Sequence, residues 1–317
     1  MKTITLAGGV LLSEIALGAG KLGDLRFPEE TLYPIWDRYT ELGGFTFDTA
    51  RLYAEGRCDA ALGRWLKSRS FTGKAAVVTK GSHPDRGNMF VSRLSCAEIE
   101  GDLDASLNAL GLECSALHLL HRDDVKLPVE DIMPVLDSLV KSGKTRAVGV
   151  SNWTASRIGQ ANAFARENNL AELTCCQAHY SLAQTTAPAT GDLTHVSMND
   201  VELNWYREFS FPLMAFSTQG RGWFAKRAKG EEPTEAPKRY YDGFPENWHR
   251  LERLMKLSQE TGRSLSAITT AYARDSLPAA IPLCAYSSVA QLEDSMDALR
   301  FTLTREQVKF LETGLTR

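Results

Sequence analysis

The sequence predicts an α/β protein that folds as one (β/α)8 barrel of the TIM type, a single domain over residues 1–317. Short apolar segments alternate with longer segments of helical period close to eight times along the chain. Nearly every short segment is continuously apolar, as in parallel strands that are buried on both faces. No segment has the composition of a linker between domains, and such barrels form one unit from about 250 residues upward.

The eight predicted strands share a further property: polar or glycine residues follow their apolar cores. These residues belong at the end of the barrel where the carboxyl ends of parallel strands meet. The predicted strands are residues 15–17, 45–48, 75–79, 116–120, 146–150, 175–179, 213–216 and 279–283.

Helix-end signals support the segments between the strands. One predicted helix begins at Pro28 and ends before Gly43, since proline suits a first turn and glycine a carboxyl end. Ser95 and Glu98 have the spacing of a capping box, which predicts a second helix start. A third helix is predicted over residues 128–141.

Two segments do not follow the alternation. Residues 181–200, after the sixth strand, and 220–247, after the seventh, are predicted to be long loops. A barrel places such loops over its C-terminal mouth, where active sites lie. Loops of this length in compact domains are commonly functional lids or disordered segments.

The composition gives no sign of a macromolecular partner. The chain is 43% hydrophobic and 24% charged, with a formal net charge of −3, so it offers no basic surface for nucleic acid or an acidic membrane. No segment approaches the roughly 18 apolar residues of a membrane helix, and Ser13 and Glu14 interrupt the first apolar run. We expect a cytoplasmic monomer or small homo-oligomer that acts on a small molecule.

The cysteine and histidine spacings predict no metal site. The six cysteines are scattered, and the adjacent Cys175 and Cys176 do not have the spacing of a zinc ribbon or a CxxC redox site. His118 and His121 are three residues apart at one strand end, so their side chains face opposite ways. We therefore expect no metal.

Polar residues after three predicted strands indicate an acid–base site. Asp48, Lys80 and His121 each follow an apolar segment, and Tyr53 comes five residues after Asp48. A tyrosine with a pKa near 10 is a weak acid at neutral pH, and a neighbouring ammonium lowers that pKa. We expect Lys80 to lower the pKa of Tyr53 and Asp48 to keep Lys80 charged. His121 would orient a carbonyl oxygen.

Six segments in order resemble the blocks of the aldo-keto reductases, a family of nicotinamide-dependent oxidoreductases. They are residues 44–53, 61–63, 78–80, 119–121, 143–152 and 177–181, and the resemblance covers about residues 18–303. A further segment, residues 281–295, resembles the block that binds the adenosine phosphate. It implies NAD(P)(H) bound across the barrel mouth without a Rossmann motif, and hydride transfer to an aldehyde or ketone. It assigns the catalytic roles to Asp48, Tyr53, Lys80 and His121.

The resemblance also implies three groups of cofactor contacts. They surround the nicotinamide carboxamide and ring, the pyrophosphate, and the adenosine phosphate. In that order they are Ser151, Asn152, Gln177 and Phe216; Ser217, Gln219 and Gly220; and Ser287, Gln291 and Asp294.

The adenosine-phosphate segment departs from the family pattern. Many members have Lys near the Ala285 position and Arg at the Gln291 position, and this sequence lacks both charges. In other branches Ser at the Ser287 position and a helix N-terminus hold the phosphate. The sequence favours NADP(H), with NAD(H) as the alternative.

Four residues near the mouth are candidate substrate contacts, with loop packing or a surface position as the alternative for each: Trp153, His83, Phe90 and Trp223. The predicted reaction is reduction of an aldehyde or ketone, including a sugar-like one, or the reverse oxidation. A non-catalytic nicotinamide-binding regulatory or redox-sensing subunit is the alternative. A lyase or isomerase with Lys80 as Schiff-base nucleophile fits less well, because the cofactor segments argue against it.

Overall fold

The protein is described by a computed structural model that covers residues 1–22, 27–85 and 87–315. Eight parallel strands, β3 to β10, form a closed barrel in chain order, which confirms the predicted fold class. Two further strands of three residues each, β1 and β2, pair antiparallel before the barrel. The ten strands within the described ranges are Thr3–Thr5, Leu11–Ser13, Ala16–Gly18, Thr46–Asp48, Ala76–Gly81, Leu117–Leu120, Val148–Ser151, Leu173–His179, Leu213–Phe216 and Ala280–Cys284.

Helices α1 to α13 occupy the segments after the barrel strands. In chain order within the described ranges they are Glu29–Glu41, Arg57–Ser68, Cys96–Leu110, Val129–Lys141, Ala155–Glu167, Ala187–Thr190, Asp200–Phe209, Trp223–Ala228, Glu235–Tyr241, Pro245–Thr261, Leu265–Asp275, Val289–Met296 and Arg305–Thr313. None of the helices in the described part of the chain is long and apolar enough to cross a membrane.

Contacts between Cα atoms divide the chain into two compact units, Met1–Gln177 and Ala178–Arg317. The first unit contains β1 to β7 and most of β8, and the second contains β9 and β10. The single domain over residues 1–317 stays a prediction.

The strand predictions agree with the structure at both ends of every barrel strand to within two residues. The predicted capping box is present at α3: Ser95 accepts from the backbone of Glu98, and the Glu98 side chain returns a bond to the Ser95 backbone. The helix stops at Gly111, whose φ of 67° is left-handed.

Side chains of β4 alternate between the helix layer and the barrel interior, as the pleat of a strand requires. Phe47 lies against helices α1 and α2, with its ring centroid 5.2 Å from that of Trp36 and 5.2 Å from that of Trp65. Asp48, the next residue, therefore faces the interior. The burial of three aromatic rings on one side of β4 fixes the orientation of the carboxylate on the other.

The N-terminal pair β1 and β2 was not among the predicted elements. Its last residue, Ser13, accepts hydrogen bonds from the backbone of Phe45 (2.9 Å) and Thr46 (3.2 Å). These bonds tie the pair to the start of β4. The sequence signal was weak because Thr3–Thr5 contains a single apolar residue, Ile4, and so lacks the continuous apolar run of the predicted barrel strands.

The segment predicted as a long loop at 220–247 is corrected by the structure, since it contains helices α8 and α9. Its aromatic residues account for the difference: Trp223, Phe224 and Tyr241 are buried, and a helix supplies the hydrogen bonds that backbone groups buried with them need. The other predicted loop, 181–200, contains the four-residue helix α6 and is otherwise irregular up to the start of α7.

Candidate active site

The centre of the first unit's site is a buried ion pair between Lys80 and Asp48. Lys80 is the penultimate residue of the fully buried strand β5, and its Nζ donates to Asp48 Oδ1 at 2.5 Å. Lys80 is 0% exposed and Asp48 1%, so water does not screen the two charges. Removing one partner of such a pair costs about 3–5 kcal/mol of stability, since the other charge stays buried and unpaired.

Tyr53 lies beside this pair, in a short 3₁₀ turn after β4. Its ring centroid is 5.0 Å from Lys80 Nζ, so the ammonium lies directly beside the phenol ring. On another side it meets the His121 ring edge-to-face, with centroids 5.9 Å apart. The ring keeps partial exposure. The structure thus brings together the four residues predicted from the strand ends.

The pKa values follow from burial and from the pair. Burial raises the pKa of Tyr53; the charge of Lys80 opposes that rise and the charge of Asp48 adds to it. The effect of Lys80 has the predicted sign, but the net shift is upward, because burial outweighs the ammonium. Burial alone would lower the pKa of Lys80, and the charges of Asp48 and Tyr53 raise it overall. An ammonium therefore faces a protonated phenol at neutral pH.

His121 follows β6 directly, and its backbone N–H donates to Gly81 O at 2.9 Å. The His83 ring packs edge-to-face on it, with centroids 4.7 Å apart. Both histidines are buried. The three rings of Tyr53, His121 and His83 thus follow one another along one side of the site.

A second cluster in the same unit consists of Ser151, Asn152 and Gln177, at the ends of β7 and β8. Asn152 has a left-handed backbone with a φ of 58°. Its backbone N–H donates to Gln177 O at 3.0 Å, and its Nδ2 donates to Ser151 Oγ at 3.0 Å. The Gln177 amide donates to Asp48 Oδ1 at 2.7 Å, which connects this cluster to the ion pair.

The donor set of this cluster fits the carboxamide of a nicotinamide. Asn152 Oδ1 is a buried acceptor without a hydrogen-bond partner among the described residues. A buried acceptor left unpaired costs about 1–3 kcal/mol, so a ligand that donates an N–H to it is favoured. The carboxamide of NAD(P)(H) carries such an NH₂ group.

In the second unit, Phe216 ends β9 and is half-buried. The ring of His179 meets it edge-to-face at 5.3 Å between centroids, and the ring of His195 lies 5.7 Å away. Burial lowers the pKa of His179 to about 3, with help from the charges of His195 and Arg221, so this imidazole is neutral. Two imidazoles thus pack against the Phe216 ring.

The predicted phosphate contacts lie on two further segments of the second unit. Ser217 and Gly220 have left-handed backbones, with φ of 59° and 58°. The Gln219 amide nitrogen donates to Ser295 Oγ at 2.6 Å and to Thr270 Oγ1 at 3.1 Å. These bonds connect the turn after β9 to helices α11 and α12. Side-chain contact between Gln219 and a phosphate is therefore not favoured by this conformation.

The N-terminus of α12 follows β10 in the same unit. Ser288 caps the helix by accepting from the backbone N–H of Gln291 at 3.2 Å, a role that the sequence did not reveal. Gln291 Oε1 accepts from the backbone N–H of Ser287 at 2.9 Å. Asp294 is exposed one turn further along the helix.

The remaining predicted substrate contacts have contrasting environments. Trp153 is 1% exposed, and its indole N–H has no partner among the described residues. The Arg157 guanidinium lies over its ring at 5.0 Å. Phe90 is 78% exposed on the segment after β5. Trp223 is fully buried and donates to Asp242 Oδ1 at 2.7 Å, as a packing residue does.

The described residues contain no group of three or more His, Cys, Asp or Glu side chains that could hold a metal ion. His118 points away from His121: its Nδ1 lies 2.9 Å from Thr79 Oγ1. Burial lowers the pKa of His118 to about 4, so its imidazole is neutral.

Two contributors to the site were not identified from the sequence. Arg122 is buried directly after His121, and its charge lowers the pKa of Tyr53. The polar run His121-Arg122 after an apolar strand was the available signal. Asp102, on α3, accepts a hydrogen bond from the backbone N–H of Ser82 at 2.7 Å. Nothing local in the sequence marks it, because the two residues come from different elements.

The chain is similar in sequence to several oxidoreductases. Aldo-keto reductase yakc [NADP(+)] of Schizosaccharomyces pombe is 23% identical, over 89% of this chain and 81% of that protein. Norsolorinic acid reductase B of Dothistroma septosporum is also 23% identical, over 96% and 79%. The uncharacterized oxidoreductase YrpG of Bacillus subtilis is 26% identical, over 96% and 92%.

A sequence model of the Aldo/keto reductase family matches residues 14–313. The matched range includes Asp48, Tyr53, Lys80 and His121, the cluster of Ser151, Asn152 and Gln177, and Ser217, Gly220 and Asp294 of the second unit. Family members are oxidoreductases that use NAD(P)H. Since the match covers nearly the whole length, the chain belongs to the aldo/keto reductase family.

Proposed function

We propose that the protein reduces an aldehyde or ketone to an alcohol with NAD(P)H, and catalyses the reverse oxidation, with Tyr53 as the proton donor and acceptor. The observation that carries the proposal is the position of the Tyr53 ring beside the buried ammonium of Lys80, which is 5.0 Å from the ring centroid and paired with Asp48. A protonated phenol next to a fixed positive charge can give up its proton when negative charge develops on a substrate oxygen.

Each neighbouring residue has a defined part in this proposal. Bound NAD(P)H supplies the hydride. Tyr53 donates its phenolic proton to the carbonyl oxygen, and Lys80 stabilises the phenolate that remains. Asp48 holds the ammonium in place, and His121 orients the carbonyl oxygen by a hydrogen bond. These charges act in a buried site, where electrostatic interactions are stronger than in water.

Asn152, Ser151 and Gln177 would bind the carboxamide, and the unpaired acceptor Asn152 Oδ1 supports this assignment. Phe216 would contribute an aromatic face. Ser217, Gly220 and the α12 segment with Ser287, Gln291 and Asp294 would line the phosphates. We propose NADP(H) as the preferred cofactor, supported by the name of the Schizosaccharomyces pombe relative.

The test is Tyr53→Phe, which removes the phenolic proton and keeps the ring. We expect kcat for reduction of 4-nitrobenzaldehyde, or of an aldose, to fall by about 10²–10⁴-fold, the usual contribution of a general acid. NADPH binding, followed by quenching of tryptophan fluorescence, should be unchanged. Full retention of kcat would overturn the role of Tyr53. NADPH binding by a wild-type protein that reduces no carbonyl in a broad panel would favour the non-catalytic alternative.

A further inference from the structure

We propose that Arg93 and Asp102 are positioning residues: they fix the His83 imidazole against His121 and thereby set the affinity for the carbonyl substrate. The inference rests on the proposed function, because it concerns the substrate side of the same site. It assigns a role to two charged residues outside the four at the centre.

The arrangement begins with the turn that follows β5. Ser82 has a left-handed backbone with a φ of 61°, an unfavourable conformation for a serine. Its backbone N–H donates to Asp102 Oδ2 at 2.7 Å. The carboxylate thus holds the chain in the conformation that directs the next residue, His83, away from the line of the strand.

Arg93 connects this carboxylate to His83 itself. Its guanidinium donates to both oxygens of Asp102, each at 3.1 Å, and Nη1 also donates to His83 O at 3.2 Å. A two-bond arginine–carboxylate contact fixes geometry as well as charge. The Arg93 guanidinium therefore links the backbone of His83 to Asp102, the residue that also binds the backbone of Ser82.

Close approach of α3 to β5 makes the contact feasible. A Cβ built on Gly81 would lie 2.8 Å from Asp102 Cβ and 3.2 Å from the His118 ring, so a larger residue would push the helix away. Asp102 is 9% exposed and Ser82 1%, so their bond is shielded from water. The absence of a side chain at Gly81 therefore allows α3 to come close enough for Asp102 to accept the hydrogen bond from Ser82.

The imidazole of His83 is held as well. Its Nδ1 lies 2.6 Å from Pro84 O, and because a carbonyl accepts only, Nδ1 carries the proton. The ring then packs on His121 at 4.7 Å between centroids. His121 is the group proposed to orient the carbonyl oxygen, so a loose His83 would leave that imidazole with a less defined orientation and weaken the binding of substrate.

The experiment is a double-mutant cycle with Arg93→Ala and His83→Ala, assayed with 4-nitrobenzaldehyde and NADPH. In the wild-type background, Arg93→Ala should raise KM about tenfold with kcat changed by less than about threefold, the pattern of lost substrate binding. In the His83→Ala background the same substitution should have no further effect on KM, because coupled residues are not additive. Arg93→Lys, which keeps the charge but cannot make all three bonds, should give an intermediate KM.

Arg69→Ala is the matched control, because Arg69, directly after α2, also makes a two-bond contact with an aspartate, Asp37 of α1, at 2.8 and 2.9 Å. It should leave KM unchanged. If Arg93→Ala fails to fold, Arg93→Lys in both backgrounds decides the question.

Three results would overturn the inference: equal effects on KM in the two backgrounds, an effect on kcat alone, or an equal rise in KM for Arg69→Ala. Each of them leaves the proposed function standing. A wild-type protein that reduces no carbonyl would instead remove the proposed function, and with it the inference. Hydrogen exchange of the Ser82 amide is a measurement that does not depend on enzyme activity. The exchange should be faster in Arg93→Ala than in wild type, because Asp102, which accepts from this amide, loses its bonds to Arg93.

Discussion

Asp48 Oδ1 accepts two hydrogen bonds at once, from the Lys80 ammonium and from the Gln177 amide. One carboxylate oxygen is therefore shared by the proton-donor side of the site and by the proposed carboxamide cluster. A change in any of these three side chains affects the other two, so their contributions to activity should not add.

The carboxylate of Asp123, whose side chain is 10% exposed, provides a test of stability against pH. Burial raises its pKa to about 6, although Arg157 opposes the rise. Its pKa in the unfolded chain is near 4, so the folded state holds the extra proton between the two values. The stabilisation that Asp123 gives the folded state through this proton is complete below about pH 4 and is lost as the pH rises through about 6.

We therefore predict that Asp123→Asn, which stays uncharged, gains free energy of unfolding relative to wild type as the pH rises from 4 to 7. The difference should change by at most about 1.4 kcal/mol per pH unit within that window. Urea unfolding of both proteins at pH 4, 5, 6 and 7 measures it. A difference that is constant over these pH values, or that changes in the opposite direction, would contradict the raised pKa.

At the residue scale, the sequence was informative where function left a local pattern. Asp48, Lys80 and His121 each interrupt an apolar strand, and a polar residue at a buried strand end is conspicuous. The hydrogen bonds of Asp102 to Ser82 and of Gln177 to Asp48 were not predictable in this way. Each joins residues far apart in the chain, and only the packed structure brings them together.

Helix packing next to the site depends on the spacing between elements. Gly63, within α2, faces the end of α3, and a Cβ there would lie 2.5 Å from Leu110 O. Gly101, within α3, has no atom within 4 Å of a Cβ built on it. The same residue type thus serves close packing on one helix and has no packing role on the other.

We predict opposite effects of alanine at these two glycines. Gly63→Ala should lower the free energy of unfolding by about 1–3 kcal/mol, because a backbone carbonyl must move. Gly101→Ala should raise it by about 0.4–1 kcal/mol, because alanine has the better helix propensity and the new methyl meets no atom. Denaturant unfolding measures both changes. Equal destabilisation by the two substitutions would rule out close packing as the cause.

At the element scale, caps and strand composition identified most boundaries. Ser95 with Glu98 gave the start of α3, and glycine gave its end. The segment 220–247 was not recognised as helical because its two helices are short, six and seven residues, and their buried aromatics do not repeat over several turns. The hydrophobic period needs a longer helix to be visible in sequence.

The barrel as a whole was predictable because eight β/α units impose a repeated pattern on the entire length. The division into Met1–Gln177 and Ala178–Arg317 had no counterpart in the sequence, which shows no linker at residue 177. A boundary within a strand leaves no change in composition. The proposed cofactor contacts include residues of both units, such as Asn152 and Phe216, so the cofactor assignment is tested on the whole 317-residue chain.

We predict that NADPH at about 100 times its Kd raises the free energy of unfolding by about 2.7 kcal/mol, and that NADH at the same concentration raises it less. Asn152→Ala should reduce the NADPH increment. Asn169→Ala is the control: Asn169 is also left-handed, with a φ of 55°, but is exposed away from the site. A wild-type protein stabilised by neither cofactor would overturn the assignment, and equal losses in the two variants would remove Asn152 from it.

The left-handed conformations of Ser82 and Asn152 have a consequence for protein engineering. Glycine adopts such a backbone without the steric cost that a side chain adds, so a screen that selects only for a higher melting temperature would favour glycine at both positions. Glycine at position 152 would remove the unpaired buried acceptor Asn152 Oδ1. Glycine at position 82 would give the turn more backbone freedom than serine does. Thermostable variants of this chain should therefore be ranked by turnover as well as by heat resistance.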